Sequence, residues 1–137
     1  TAPVATRSGR AFSAAASGAN EGAAQANMRT LTGAEATYQA TTGAGNFGDL
    51  SELNSVGLVD IVLAGGNKSG YEFFVEETDI NGTTPASYLS TASTLVDSGI
   101  TATGTRNFLS SEAGVIYWGA ASTTAMTTSS TSAPIGQ

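Results

Sequence analysis

The sequence predicts an α+β fold, in which one long N-terminal helix packs on a small antiparallel β-sheet and extended N- and C-terminal tails flank the domain. Residues 11–42 predict the helix, because they are rich in alanine, lack proline and repeat apolar residues at helical steps. Residues 71–118 predict the sheet, because short aromatic and β-branched runs alternate with glycine-containing turns. A chain of 137 residues fits one domain.

The helical pattern is clearest in ANMRTLTGAEATYQATTG, residues 26–43. Met28, Leu31 and Tyr38 are separated by three and seven residues, which places them on one helical face. Glycines inside the helix weaken it by about 1 kcal/mol each relative to alanine, so packing must hold it. We therefore expect this face to pack against the sheet. Residues 1–10 are expected to be extended.

The stretch TTGAGNFGDL predicts the end of the long helix, because three glycines lie close together. Asp49 or Ser51 is suited to cap a short second helix, with Leu50 and Leu53 facing inward. GAGNFG resembles a phosphate-binding loop only superficially, because no Lys-Ser/Thr pair follows it. We interpret it as a helix-terminating loop that places Phe47 in the core. LVDIVLAGG leaves turn, helix and strand open.

The alternation in YEFFVEE predicts a strand in which Tyr71, Phe73 and Val75 share one face. DINGTTP predicts a turn, and SYLSTASTLV predicts a second strand. TRNFLSSEAGVIYWG predicts a hairpin. The last segment has no periodicity and is rich in serine and threonine, so we interpret it as a tail. The predicted organisation is a lead at residues 1–19, a globular domain at residues 20–118 and a tail at residues 119–137.

The composition excludes several classes of function. The chain has no cysteine and no histidine, which removes disulfides, zinc–thiolate sites, cysteine nucleophiles, Ser-His triads and histidine-ligated haem. Its net charge of −6 disfavours nucleic acid as a partner, because phosphate binding needs clustered Lys and Arg. No apolar run approaches the roughly 20 residues of a transmembrane helix. No two carboxylates are spaced as an acid–base pair, so we expect no enzymatic activity.

The order of these elements, together with specific segments, resembles bacterial type IV pilins and the related type II secretion pseudopilins. The resemblance is carried by NEGAAQANMRTLTGAEATYQATTG, the loop GNFGDLSEL, the short GLVD and KSGY segments, and TGTRNFLSSEAGVIYW. It covers most of residues 20–118. It implies a pilin-like fold and a structural role in a bacterial fimbrium, outside the cell, reached by export through the periplasm.

One departure from the family concerns the start of the chain. Pilins of this kind begin with about 25 hydrophobic residues, enough to span a membrane, and carry an important glutamate near their start. Here TAPVATRSGRAFSAAASGA stands before residue 20, and nothing matches that glutamate. A truncated ectodomain and the globular subunit of a split, two-chain pilin both fit this pattern. We favour the split pilin, in which a separate short hydrophobic chain supplies the helix.

The split-pilin hypothesis assigns partner contacts to the N-terminal lead. Phe12 would anchor the lead on the short hydrophobic chain, and Ala15 and Ala16 would allow close helix approach. The tail would dock on adjacent copies of the same chain in a helical filament. Two alternatives stay open, a pseudopilin ectodomain of a type II secretion system and a surface adhesin or binding module. The sequence leaves adhesion, motility, DNA uptake and secretion open as roles of the filament.

The acidic segment EETDING is the candidate metal site, and calcium is the candidate ion. Some pseudopilins hold calcium in their β-loops, and Glu77, Asp79 and Asn81 offer the oxygen ligands that calcium needs. The EF-hand pattern fails, because Gly82 is fourth rather than sixth counted from Asp79. The alternative interpretation is an acidic strand end followed by an Asn-Gly turn.

The tail holds the candidate glycosylation sites. Pilins are often O-glycosylated, and the tail is dense in hydroxyl side chains. The candidates are Thr123, Thr124, Thr127, Thr128, Ser129 and Ser130. Asn67 and Asn81 also fit the N-glycosylation sequon. The alternative for the tail is an unmodified polar segment that docks on a neighbouring subunit.

Overall fold

The computed structural model describes residues 2–136, with side chains from residue 15 onward. It has the predicted α+β fold, with one long helix and an antiparallel sheet. The helices are α1 (Ala2–Ala40), α2 (Leu50–Ser55) and α3 (Ile61–Ala64). The strands are β1 (Asn67–Lys68), β2 (Tyr71–Thr78), β3 (Ser87–Thr94), β4 (Arg106–Ser111), β5 (Ile116–Ala120) and β6 (Ala133–Pro134). They pair in chain order, each antiparallel to the next.

Helix α1 begins earlier than the sequence predicted. Residues 2–10, expected to be extended, belong to α1. Pro3 falls in the first turn, where its missing N–H would have no helical partner in any case, so it does not prevent the helix from starting there. Among the described residues, no helix combines the length and hydropathy needed to cross a lipid bilayer.

Helix α1 ends where the glycine-rich loop begins. The N–H of Gly43 donates to the carbonyl of Tyr38 at 2.7 Å, and that of Gly45 donates to Gln39 at 2.8 Å. A Cβ atom at position 43 would lie 2.0 Å from the carbonyl oxygen of Asn46, so only glycine fits this turn. Gly45 has a φ of +102°, which side chains rarely allow.

The core lies between α1 and the inner face of the sheet. Met28 and Leu31 are fully buried and Tyr38 is nearly so. They belong to one hydrophobic cluster with Tyr71 and Phe108 of the sheet. The remaining large members, from the short helices, loops and strands, are Phe47, Leu53, Val59, Leu63, Phe73, Val75, Tyr88 and Ile116. The burial of β2 alternates along the strand, as the sequence pattern predicted.

The Ser/Thr-rich segment is not an extended tail over its described residues 119–136, which corrects the prediction of a tail at residues 119–137. Strand β5 runs on to Ala120, and β6 pairs with it, with Ala133 opposite Trp118. Met126 is buried, and its side chain packs over Gly119. The sequence did not predict this packing, because the segment has no periodic apolar residues. Its small residues are held mainly through backbone contacts.

Gly33 provides a test of the helix assignment. It lies exposed in α1, and nothing would come within 4 Å of an added Cβ atom. Because alanine favours a helix interior over glycine, we expect Gly33→Ala to raise the free energy of unfolding by about 1 kcal/mol. Urea denaturation followed by circular dichroism measures it. The reverse change at the exposed Ala36 (Ala36→Gly) should lower stability by a similar amount, and no change in either variant would contradict a continuous helix here.

Candidate functional site

The loop between α1 and α2 carries an acidic group that its own hydrogen bonds orient. Asp49 is the N-cap of α2, and its Oδ1 accepts the N–H of Glu52 at 2.8 Å. The Oε1 of Glu52 accepts the N–H of Asp49 at 3.1 Å, which completes a capping box. The hydroxyl of Tyr38 donates to the Oε2 of Glu52 at 3.1 Å. The Asp49 carboxylate is therefore held by the first turn of α2, and the Glu52 carboxylate is held by Tyr38 of α1 and by the loop.

Strand β2 brings a third carboxylate to this loop. Ligand oxygens of Asp49, Glu52 and Glu77 all lie within 4.8 Å of one another. Burial and the nearby charges of Asp49 and Glu52 raise the pKa of Glu77, because each disfavours another negative charge there. We refer to these three residues as the acidic cluster.

Glu35 is buried next to the acidic cluster. Its side chain has no solvent exposure, and its Oε1 accepts the N–H of Gly48 at 3.0 Å. Its Oε2 is buried without a hydrogen-bond partner among the described residues. Burial, and then the charges of Glu77, Glu52 and Asp49, raise the pKa of Glu35 to about 7, although the Gly48 N–H acts to lower it.

The structure does not bring the three predicted calcium ligands together at one place. Glu77 lies in the acidic cluster, but Asp79 does not belong to it. Asn81 lies in an exposed turn, where its backbone exchanges hydrogen bonds with Thr84 at 2.9 and 3.1 Å. Sequence reasoning identified Asp49 only as a helix cap and overlooked Glu35, because neither is close to Glu77 in the chain. The sequence signal that could have indicated this region is Glu35, a glutamate on the helical face that Leu31 and Tyr38 share.

A second group of polar side chains fixes α1 to the loop before β4. Ser17 Oγ donates to the carbonyl of Ala102 at 3.0 Å, and Asn20 Nδ2 donates to that of Thr103 at 2.9 Å. Glu21 accepts hydrogen bonds from the backbone N–H and the hydroxyl of Thr105. We refer to Ser17, Asn20 and Glu21 as the helix latch.

Glu21 is the charged member of the helix latch. Its Oε2 pairs with Nη2 of Arg106 at 3.3 Å. Burial acts to raise its pKa, but the hydrogen bonds from Thr105 and the charge of Arg106 together lower it below the usual value. The carboxylate therefore favours its ionised form and holds this part of α1 against Thr105 and Arg106.

The predicted partner-contact residues lie just before this latch. Ala15 and Ala16 are exposed on α1, while Ser17 is buried against the loop. The side chain of Phe12 lies outside the described residues. Of the glycosylation candidates, five are exposed and Ser130 is half-buried, where its hydroxyl accepts the N–H of Thr127 at 2.9 Å.

These features define the chain as an α+β domain, built on a six-stranded antiparallel meander with one helix along its inner face. Comparisons with protein-family models, with curated proteins and with solved structures find no match for this chain.

Proposed function

We propose that this chain is the globular structural subunit of a type IV pilus-like filament at a bacterial surface. It assembles there with a separate short hydrophobic helical pilin chain and with copies of itself. The observation that carries the proposal is the length of α1. Its 39 residues extend about 58 Å at 1.5 Å per residue, and the exposed Ala15 and Ala16 lie just before Ser17, which is bonded to the loop before β4.

The helix latch supports the proposed structural role, because it fixes α1 rigidly to the folded domain. A helix that carries a domain into a filament must be held rigidly where it leaves that domain, or the domain would swing on it. Asn20 and Glu21 meet residues 83 to 85 positions further along the chain, so these contacts join the helix to the folded sheet. A catalytic role is not proposed.

The exposed face at Ala15 and Ala16 is the proposed contact with the hydrophobic chain. Small side chains let two helix backbones approach closely, which maximises van der Waals contact. A stable contact between chains needs about 1,000 Å² of buried surface in total. The turns of α1 that precede Ser17, together with the surface of neighbouring copies, are the proposed source of that area.

The experiment is co-expression with a short hydrophobic pilin chain and a pilus assembly machinery. We expect surface filaments that an antibody against this chain decorates, seen by electron microscopy. Ala16→Glu should abolish decoration, because a charge replaces a small side chain in the proposed contact. The matched control Ala36→Glu places the same charge at an exposed position of α1 beside the sheet, and should leave filaments unchanged.

Two outcomes would contradict the proposal. Identical filaments formed by this chain alone would show that no hydrophobic partner chain is required. Copurification with a secretion apparatus, without long surface filaments, would instead favour the pseudopilin ectodomain. The mass of the natural polypeptide, measured on cells that carry it, distinguishes a two-chain pilin from an ectodomain of one longer chain.

A further inference from the structure

An open groove crosses the outer face of the sheet, the face that is turned away from α1. The core residues of β2 alternate with Phe74 and Glu76, which therefore lie on this outer face. The register places Thr91 of β3 opposite Phe74, and Leu89 opposite Glu76. Together with Met126 of the Ser/Thr-rich segment, these four residues are among those that line a cavity of about 390 Å³. We refer to this cavity as the outer groove.

The outer groove is apolar towards Phe74 and acidic towards Glu112. Phe74 is 55% exposed although it is a large aromatic residue. A second cavity, of about 310 Å³, shares Glu76, Leu89 and Thr128 with the first and adds Glu112. Both glutamates are exposed, and neither takes part in an ion pair of the described residues. The groove therefore fits a ligand that combines an apolar stem with a positive charge.

A buried hydroxyl among the residues that line the outer groove also lacks a partner. Thr91 is 3% exposed, and its Oγ1 has no hydrogen-bond partner among the described residues. Buried polar atoms in proteins nearly always have such a partner, so an unpaired atom calls for an explanation. Strand alternation directs the Thr91 side chain to the outer face, which carries the groove. A ligand with several N–H donors can bond a carboxylate and still supply a donor to this hydroxyl.

None of the basic residues whose side chains the structure describes lines the outer groove. Lys68 pairs with Asp60, and Arg106 pairs with Glu21. Arg29 lines a different cavity, between α1 and the start of β5. From residue 20 onward the chain has three basic and eleven acidic residues, a net charge of −8. A cation that enters the groove therefore comes from outside this part of the chain.

We propose that the outer groove binds arginine side chains from the N-terminal segment of a second copy of this chain, namely Arg7 and Arg10. Residues 1–19 contain these two arginines and no acidic residue, so their charge is opposite to that of the groove. The two positions are three apart in α1, a spacing that places residues on one side of a helix. Two arginines therefore meet two carboxylates, those of Glu76 and Glu112.

Arginine has the chemistry that this groove requires. Its apolar stem packs on apolar surface while its charged head stays at the polar end. A guanidinium group bonds a carboxylate through two parallel N–H donors, for which Glu76 is placed, and it stacks on aromatic rings such as that of the exposed Phe74. Further N–H donors remain for the Thr91 hydroxyl. Lysine provides neither the planar fork nor the stacking.

The position of α1 explains why the arginines come from another copy. Helix α1 packs on the inner face of the sheet, whereas the outer groove lies on the opposite face. Residues 2–14 continue α1 by about 20 Å, and a straight continuation of this helix does not cross to the outer face of its own sheet. The contact rests on the proposed assembly of copies of this chain, but its measurement requires neither the hydrophobic chain nor a filament.

The test is a titration of the isotope-labelled full chain with a synthetic peptide of residues 1–14, followed by nuclear magnetic resonance at low ionic strength. We expect saturable shifts of the amide signals of Phe74, Glu76 and Leu89, and weaker binding in high salt, which screens exposed charges. Glu76→Gln should weaken peptide binding about fivefold, because it removes one charged partner. A peptide that carries Arg7→Gln and Arg10→Gln should cause no such shifts.

The matched control in the protein is Glu72→Gln, the same change at an exposed residue of β2 that does not line the outer groove. It should bind the peptide within about twofold of the wild type. The inference fails if the glutamine peptide binds as well as the native one, if the shifts map outside the groove, or if Glu72→Gln and Glu76→Gln lose equal affinity. Equal binding of a peptide with lysine at both positions would overturn the assignment to arginine.

Self-association of the full chain gives a second measurement. Sedimentation velocity should show association that rises with concentration and that is lost in the double variant Arg7→Gln, Arg10→Gln. Arg29→Gln, which removes the same charge elsewhere on α1, should associate like the wild type. Absence of peptide binding would remove this contact and leave the filament proposal standing. Peptide binding without filaments in the co-expression experiment would contradict the filament proposal alone.

Discussion

Replacing Asn107 with alanine is expected to release residues 121–128 from the sheet and to lower the free energy of unfolding by about 3 kcal/mol. Asn107 is fully buried on β4. Its Nδ2 donates to the carbonyls of Ser122 and Thr124, at 2.9 and 3.2 Å. Its Oδ1 accepts the N–H of Thr94 at 3.0 Å and that of Ser122 at 3.4 Å. One side chain thus connects β3, β4 and the final segment.

The size of the expected loss of stability follows from the buried backbone groups that lose a hydrogen-bond partner. Alanine removes both polar atoms and leaves the Thr94 N–H and the Ser122 carbonyl with fewer partners in a buried region. An unsatisfied buried group costs about 1–3 kcal/mol, more than the net value of the hydrogen bond itself. We therefore expect a loss larger than that of an ordinary surface change.

Hydrogen exchange measured by mass spectrometry, together with urea denaturation, tests this expectation. The amides of Thr94 and Ser122 should exchange faster in Asn107→Ala than in the wild type. Asn67→Ala is the control, because Asn67 is exposed in the two-residue strand β1. Unchanged protection in residues 121–128 would show that other contacts hold this segment.

Replacing Glu35 with glutamine is expected to stabilise the fold at pH 8 and to flatten its pH dependence. The folded state raises the pKa of Glu35 from 4.5 to about 7. The folded chain therefore binds the proton more tightly than the unfolded chain does. The contribution of the protonated carboxyl is fully present below about pH 4.5 and is lost as the pH rises through 7.

The magnitude follows from the pKa shift. Each pKa unit corresponds to about 1.4 kcal/mol, so the loss between pH 4.5 and pH 8 is about 3 kcal/mol. Glutamine keeps the size of the side chain and can still accept the Gly48 N–H, but it carries no charge. The difference in unfolding free energy between Glu35→Gln and wild type should therefore grow from pH 5 to pH 8.

Urea denaturation at pH 5, 6, 7 and 8 measures this difference. The buffers contain a chelator, so that no divalent cation offsets the charges of the acidic cluster. Glu72→Gln, at an exposed position of β2, is the control and should show no such growth. A constant difference across this pH range for Glu35→Gln would show that Glu35 does not take up a proton on folding.

Local patterns carried most of the fold prediction. The three- and seven-residue spacing of α1 and the alternation of β2 depend on residues close in the chain, so both elements could be predicted directly from the sequence. The second helix was predicted from its cap, and the structure places Asp49 at that cap. The part of α1 before residue 11 was not predicted, because the small and polar residues there show no helical spacing of apolar residues.

The candidate sites were predicted less well, because they depend on contacts between distant residues. Glu35 and Glu77 approach the same loop only after the sheet packs against α1, and spacing along the chain does not reveal this. The role of Asn107 is of the same kind, since its partners in residues 122–124 sit in a segment without periodicity. These sites are recognised in the structure by single buried polar residues. They do not correspond to sequence motifs.

The two margins of the sheet are formed by β1 and β6, each only two residues long. Pro134 in β6 has no N–H to offer. Unpaired strand margins can recruit strands from other molecules, and the β6 margin offers only two residues, one of them a proline. At the opposite margin β1 pairs with β2 only at Tyr71 and Glu72, so most of the rest of β2 has no strand partner on that side among the described residues. The glutamates at positions 76 and 77 place charge on this stretch, and charge on an edge strand disfavours continuous intermolecular sheets.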